Sequence, residues 1–494
     1  MERLNYRTLK NIGAKDYVLP AAPERVLQFG EGNFLRGFVD YFFDKANEAG
    51  KWQGKVAIVQ PIAKGLTKTI NEQQGLYTLY LRGSENGEKI NRRRLISSVS
   101  RCIDPYEDFS AVLACAENPD LRYIVSNTTE AGIAFDPQCG FDDDPPASFP
   151  AKLTVFLYER YLAFAADPEK GFVILSCELI DNNGKELERC VKKYAEYWEL
   201  EAPFVQWLDE ACLFCSTLVD RIVTGYPKTE AAALNEENGY EDQLLDTAEV
   251  FGLWVIEGPE WLEKELPFCG IGEPIIVTPD HSPYKKRKVR ILNGAHTSMV
   301  LGAYLAGQDI VRDCMNDDVI RTFMNTAIFD EIIPTLTLPA EELKEFAASV
   351  QDRFKNPFID HALLSIALNS TSKWKARVLP SVKEYIEKFG KVPPCLTKSL
   401  AFLIGFYHCD TYENGAMTGK RGEESYSIQD DEAVLKFYAA HKNTPAEELI
   451  PAVLSNAEFW GEDLTALPGF EAAVLAAYKA MQEKGAYDVM RTDA

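Results

Sequence analysis

Lys288, Asn293 and His296 fall within one stretch, Lys288-Val289-Arg290-Ile291-Leu292-Asn293-Gly294-Ala295-His296. The chain of 494 residues has only five histidines, so an imidazole this close to an amide and a lysine is a selective feature. If the stretch is an α-helix, Asn293 and His296 lie ~60° apart on one face, and Lys288 lies ~7 Å from Asn293 toward the helix start. Helical side chains lean toward the N-terminus, so the amide and the imidazole point back toward the lysine. The three could converge on one oxygen atom. Such a trio suits hydride transfer at a carbonyl, where the oxygen becomes an alkoxide and needs a proton and hydrogen-bond donors. A lysine desolvated in a closed cleft can be that acid. The competing reading is a basic helix start with a capping asparagine and a core histidine.

Hydride transfer needs a dinucleotide, and the N-terminal part carries elements that could hold one. Glu24–Phe29 reads as a short buried strand, Gly30-Glu31-Gly32 follows, and residues 33–48 place Phe34, Phe38, Tyr41 and Phe42 at helical spacing. A strand running into G-x-G and then a helix lets backbone approach a pyrophosphate at a helix N-terminus. Phe29, Gly30, Gly32, Asn33 and Phe34 are the candidate contacts. The third glycine of G-x-G-x-x-G is absent, because Leu35 stands there. The second strand, 55–60, ends in Gln60 rather than in an acid that would hold the adenine ribose, so the residues themselves leave NAD against NADP open. Asn127, Thr128 and Glu130 follow a strand at 122–126, at the end where ligands sit in open α/β sheets; capping of the next helix is the alternative.

Strands alternating with helices predict an α/β domain with a parallel sheet covered on both faces. A hairpin is expected around Asn86-Gly87, and residues 134–150 and 267–283 read as irregular. The expected domains are 1–275, Rossmann-type and dinucleotide-binding, and 276–494, mostly α-helical and catalytic. No internal repeat stands out.

Composition excludes several classes. Lys+Arg 52 against Asp+Glu 75 gives a net charge of −23, which disfavours nucleic acid as a partner. An anionic substrate then needs a local basic pocket. No stretch approaches the ~20 apolar residues of a membrane span, and the N-terminus lacks the apolar core of a signal peptide. A cytoplasmic protein is expected. Its 11 cysteines are scattered, with one C-x-x-C (Cys212, Cys215) and no second pair at zinc spacing, as expected of buried or free thiols.

The chain resembles the long-chain mannitol dehydrogenase family of zinc-independent, NAD(P)-dependent polyol and sugar-acid dehydrogenases. The family's K-x4-N-x2-H is matched by Lys288, Asn293 and His296, and its G-x-G-x-F-x-R by Gly30-Glu31-Gly32-Asn33-Phe34-Leu35-Arg36. The longer blocks 126–133, 177–181, 214–227, 291–297 and 353–357 are similar to members that act on hexuronates. The resemblance spans about residues 20 to 440. It implies a Rossmann-type domain followed by a mostly helical one, NAD as cofactor, and reversible reduction of D-tagaturonate to D-altronate, with the epimer D-fructuronate as the alternative substrate. It implies Lys288 as general acid in reduction and base in oxidation, with Asn293 and His296 holding the substrate oxygen. A nucleotide-sensing protein without turnover is the alternative from another class, and the intact trio speaks against it.

Polyol members carry S-C-D-N where this chain has Ser176-Cys177-Glu178-Leu179. Leu179 cannot bind the reacting oxygen as that asparagine does, which leaves Asn182 or Asn183 to substitute, or Asn293 to serve alone. For the substrate carboxylate the candidates are Arg353 and Lys373, with His361 as a polar neighbour. Asp220 is a candidate for a substrate hydroxyl or for pairing with Arg221. Lys285-Lys286-Arg287 could draw an anion toward Lys288, or form a solvated basic run.

Overall fold

The computed structural model describes residues 1–85 and 87–491. Asn86 of the expected hairpin turn lies outside them. Contacts divide the chain into two compact units, Met1–Arg82 with Ile90–His281, and Gly83–Lys89 with Ser282–Ala494.

The first unit is built on eight strands: β1 (Glu24–Phe29), β2 (Lys55–Val59), β5 (Val99–Ile103), β6 (Tyr123–Ser126), β7 (Val173–Ser176), β8 (Leu213–Asp220), β10 (Leu253–Glu257) and β11 (Ile275–Thr278). Their order in the sheet is β11-β10-β8-β7-β6-β1-β2-β5. The pairings from β5 to β8 are all parallel, and β10 pairs antiparallel with β8. The chain runs from β1 outward through β2 to β5, then returns to β1's other side at β6. The strand order therefore reverses at β1, and the crevice beyond the ends of β1 and β6 is where such a sheet binds ligands.

Successive side chains of a strand point to opposite faces. Val26, Val56 and Ile58 accordingly join one buried cluster with Phe38, Phe42, Trp254 and Phe268, whereas Leu27, Phe29, Ala57 and Val59 join another with Phe149, Phe156 and Trp207. Apolar residues on both faces of the inner strands are the mark of a sheet covered on both sides. A smaller sheet in the order β4-β3-β9 adds β3 (Tyr77–Glu85), β4 (Glu88–Ile96) and β9 (Asp246–Glu249).

The second unit is mostly helical, including Gly294–Leu305, Ala340–Phe354, Pro394–Phe406 and Phe470–Lys484. Among the described residues no helix is long and apolar enough to cross a membrane, and all 11 cysteines are free thiols.

Four local expectations change. The helix expected over 33–48 is two helices, Asn33–Gly37 and Val39–Glu48, broken at Phe38, whose φ of −126° and ψ of −71° are not helical. The stretch 267–283, read as irregular, supplies β11, paired in parallel with β10. A small antiparallel sheet of β12 (Thr411–Glu413), β13 (Ala416–Arg421) and β14 (Glu424–Ile428) lies within the helical unit. The helix expected to carry the chemistry is not α-helical throughout.

Candidate active site

The helix Ser282–Arg287 leads into a π turn, Lys288–Asn293, which continues as the α-helix Gly294–Leu305. This corrects the α-helical geometry assumed from spacing. At 3.6 residues per turn, five residues advance the helix so that Lys288 and Asn293 would lie ~140° apart. An i→i+5 turn instead brings residues five apart to one face. Gly294 faces the Arg377 carbonyl oxygen, 3.4 Å from where a Cβ would stand, at the end of the helix Ser370–Arg377.

His296 is fixed by stacking. Its ring lies 3.9 Å from that of Phe354, at 9° to it, and meets His361 edge-on at 5.5 Å. Nε2 of His296 is buried with no hydrogen-bond partner among the described residues. Burial, followed by the charges of His361, Arg353, Arg377 and Lys373, holds its pKa well below the usual histidine range. The imidazole is therefore neutral, and Arg353, Arg377 and Lys373 are the cationic side chains whose charges act on it. Burial also lowers the pKa of His361, Lys373 and Arg377. Of the residues proposed from sequence for the carboxylate, Arg353 and Lys373 act on His296 through their charge, and their expected polar neighbour His361 meets its ring. Lys373 donates to the Ile366 carbonyl at 2.8 Å. Arg377 and Phe354 were missed. Arg377 lay four residues beyond Lys373 with no motif to mark it, and Phe354 stood within a block noted only for its resemblance.

The basic run before Lys288 is paired rather than solvated. Arg287 is buried and bridges to Glu342 at 2.6 Å, and Lys286 reaches Glu384 at 2.9 Å.

In the first unit the G-x-G turn sits at the end of β1. Gly30 has φ +132°, and a Cβ there would meet Leu35 Cδ1 at 2.8 Å. Leu35, standing at the missing third glycine, is what packs against the first. Gly32 is exposed and a Cβ on it would meet nothing within 4 Å. It precedes the helix Asn33–Gly37 with no side chain capping the first turn. An open glycine followed by uncapped N–H groups fits the pyrophosphate of a dinucleotide. Arg36 is structural: buried, it donates to the Glu31 and Leu244 carbonyls and to Asn33 Oδ1. Phe34 is half-buried and stacks on Phe38, whereas the Phe29 side chain packs on Phe149 in the core.

Gln60 is buried at the end of β2 and donates to the Ile62 carbonyl and to Asp104 Oδ2. Asn127 N–H donates to the Phe29 carbonyl at 3.2 Å, continuing the β1–β6 ladder past the end of β6. Thr128 donates through its N–H and its hydroxyl to Glu178 Oε1, both at 3.1 Å, and Glu130 is exposed. Glu178 also accepts from Ser126 at 3.2 Å, and burial raises its pKa. The acid of the altered motif thus shapes the loop after β6, a role the sequence did not reveal.

Leu179 is exposed. Asn183 is not a replacement for the motif's asparagine: it is buried, its amide donates to the Glu178 and Thr217 carbonyls, and its oxygen accepts from Thr217 N–H. Asn182 precedes the helix in a left-handed conformation. Asp220 is buried at the end of β8, and Arg221 is held by the Gly37 and Phe251 carbonyls and the Tyr41 ring. Glu257, Asp280 and His281 come close together, but Glu257 is already bound by Lys185 at 2.6 Å.

Known proteins match both units. Residues 24–269 match the mannitol dehydrogenase Rossmann domain and residues 280–482 the mannitol dehydrogenase C-terminal domain. The chain is 46% identical to the altronate oxidoreductase of Klebsiella pneumoniae (strain 342) over 98% of this chain and 99% of that one. It is 46% identical to that of Cronobacter sakazakii over 97% and 98%. Among solved structures, a D-sorbitol dehydrogenase in substrate-free form aligns with a TM-score of 0.78 at 21% identity, covering 99% of this chain and 100% of that one. The Pseudomonas fluorescens mannitol 2-dehydrogenase, in a ternary complex with NAD and D-mannitol, aligns at 0.66 and 20%, covering 99% and 98%. With both domain types matched in order and near-complete relatives at this identity, the chain belongs to the mannitol dehydrogenase family.

Proposed function

We propose that this chain is an NAD-dependent oxidoreductase that interconverts D-tagaturonate and D-altronate. The observation that carries the reading is the cationic set around a neutral His296, in a chain of net charge −23. A sugar acid brings a carboxylate whose charge such a set matches, whereas a neutral polyol brings no charge to match. The near-complete relatives named altronate oxidoreductase support the same substrate.

A bound nicotinamide supplies or accepts the hydride. The chain's own residues manage the oxygen. Lys288 donates a proton to it in reduction and takes one from it in oxidation. Asn293 and His296 Nε2 hydrogen-bond to it and hold the carbonyl in place. Because His296 is neutral, the proton moves through Lys288. Arg353 and Lys373 place positive charge near the carboxylate. Gly30, Gly32 and the first turn at Asn33 hold the cofactor's pyrophosphate, and the loop at Asn127 and Thr128 borders its crevice. The free cysteines fit a cytoplasmic enzyme acting on free sugar acids.

The test is NADH oxidation by the purified protein with D-tagaturonate, D-fructuronate and D-fructose offered in parallel. Preference for tagaturonate is expected. Preference for fructuronate keeps the mechanism and changes the substrate, and turnover of fructose alone removes the carboxylate site.

A further inference from the structure

We propose that Arg377 is the residue that grips the substrate carboxylate and selects sugar acids over neutral polyols. The proposal rests on the sugar-acid reading above. Arg377 ends the helix Ser370–Arg377. Its carbonyl lies against Gly294, and its Nη1 is 3.4 Å from the hydroxyl of Thr297, the residue after His296. The guanidinium is thus held beside the catalytic helix by contacts at both ends of the residue.

Its partners set it apart from the other arginines of the same unit. Arg287 pairs with Glu342, Arg290 with Glu384, Arg312 with Asp360 and Arg421 with Asp309. Arg377 is half-buried, yet no carboxylate pairs with it among the described residues. In a strongly acidic chain an unmatched, half-buried guanidinium leaves its fork of donors for an anion that arrives with the substrate. Lys373, one turn earlier, donates to a carbonyl, so it adds charge rather than a two-point grip. The planar fork of arginine matches a carboxylate with two parallel hydrogen bonds, which an ammonium cannot reproduce. Burial already holds the Arg377 pKa below its usual value, and burial followed by the like charge of Arg377 lowers that of Lys373, only partly offset by Asp430; an arriving carboxylate would relieve Arg377. The carboxylate of tagaturonate lies at the far end of its carbon chain from the reacting carbonyl, so a grip there orients the substrate without touching the reacting oxygen.

The experiment compares Arg377→Met and Arg377→Lys with the unaltered enzyme. The methionine variant should raise KM for D-tagaturonate about 30-fold, with kcat kept within about threefold and the lysine variant falling between. Inhibition by D-altronate should weaken in parallel, and inhibition by the neutral D-altritol should weaken far less. NADH affinity and melting temperature report folding, and if the methionine variant does not fold the lysine variant decides on the same criteria. An unaltered KM, or equal weakening of altronate and altritol, overturns the role of Arg377 alone. An unaltered enzyme that turns over no sugar acid overturns the functional reading and this proposal with it.

Discussion

Lys288 and Asn293 stand at the two ends of one π turn. That turn converts a separation of ~140° in an α-helix into residues on a common face. On the proposed mechanism, this local distortion is what would let a lysine and an amide from one helix serve one oxygen. The Asn293 amide makes no hydrogen bond among the described residues, so it is available to that oxygen. Lys288→Ala should therefore lower kcat about 10³-fold, in the range of a lost general acid. NADH affinity, read by fluorescence titration, should stay within about twofold. Parallel loss of cofactor binding would show that the lysine supports the fold instead.

The His296–Phe354 stack makes a different prediction. A ring lying 3.9 Å away and 9° from parallel fixes the plane of the imidazole, and with it the direction of Nε2. Phe354→Leu keeps an apolar side chain at this buried position but removes the flat support. It should lower kcat about 10-fold by loosening the aim of Nε2. The melting temperature should fall by only about 2–4 °C, as for a loss of ~1 kcal/mol. Unchanged kcat with lowered stability would make the phenylalanine a packing residue only.

The sequence displayed most of this because its strongest signals were local. The run from Val26 to Phe29, the glycines after it and the aromatic face at Phe38 and Phe42 state a strand, a turn and a helix without reference to the rest of the chain. Arg353 and Lys373 stood out for their charge and His361 as a polar neighbour, and all three act on the titration of His296. Features set by tertiary contact stayed hidden. The break at Phe38, whose ring packs against Trp254 from a distant strand, has no local sequence signal, and Asn183 looked available until its hydrogen bonds to Glu178 and Thr217 were seen. The π turn has no residue signature, since Val289 to Leu292 suit an α-helix equally well. One miss was avoidable. Asn414-Gly415, both at positive φ, join β12 to β13 in a two-residue turn of the kind that Asn-Gly favours.

The glycines of the cofactor turn should separate fold from binding. Gly32→Ala adds a methyl group that meets nothing in the protein, so the melting temperature should stay unchanged. If the turn holds the pyrophosphate as proposed, the same methyl stands in its way, and NADH should bind about 10-fold more weakly. Gly30→Ala places its methyl 2.8 Å from Leu35 at a φ of +132° and should cost both stability and binding. Equal NADH affinity for Gly32→Ala and the unaltered protein would move the cofactor away from this turn.

Asp40 predicts an unusual pH dependence of stability. It is fully buried on the helix Val39–Glu48, one oxygen accepts from Tyr77 at 3.1 Å, and the other has no partner among the described residues. Burial, only partly offset by Tyr77 and Arg36, raises its pKa from 3.8 to about 7. Between those values the folded protein keeps the proton and the unfolded chain does not. Stability from this group is therefore complete below pH 4, falls as pH rises, and is lost above pH 7. At 1.36 kcal/mol per unit, flattening as pH passes 7, the interval from pH 5 to 8 is worth about 3 kcal/mol. Asp40→Asn replaces the protonated carboxyl with a neutral group of the same shape and has no proton to lose. Its stability relative to the unaltered protein, from urea unfolding at a series of pH values, should rise by about that amount from pH 5 to 8. A slope will remain in both proteins from Asp246, whose pKa burial also raises to about 7. Two parallel curves would mean that Asp40 is ionised in the folded protein and that its charge is balanced where it lies.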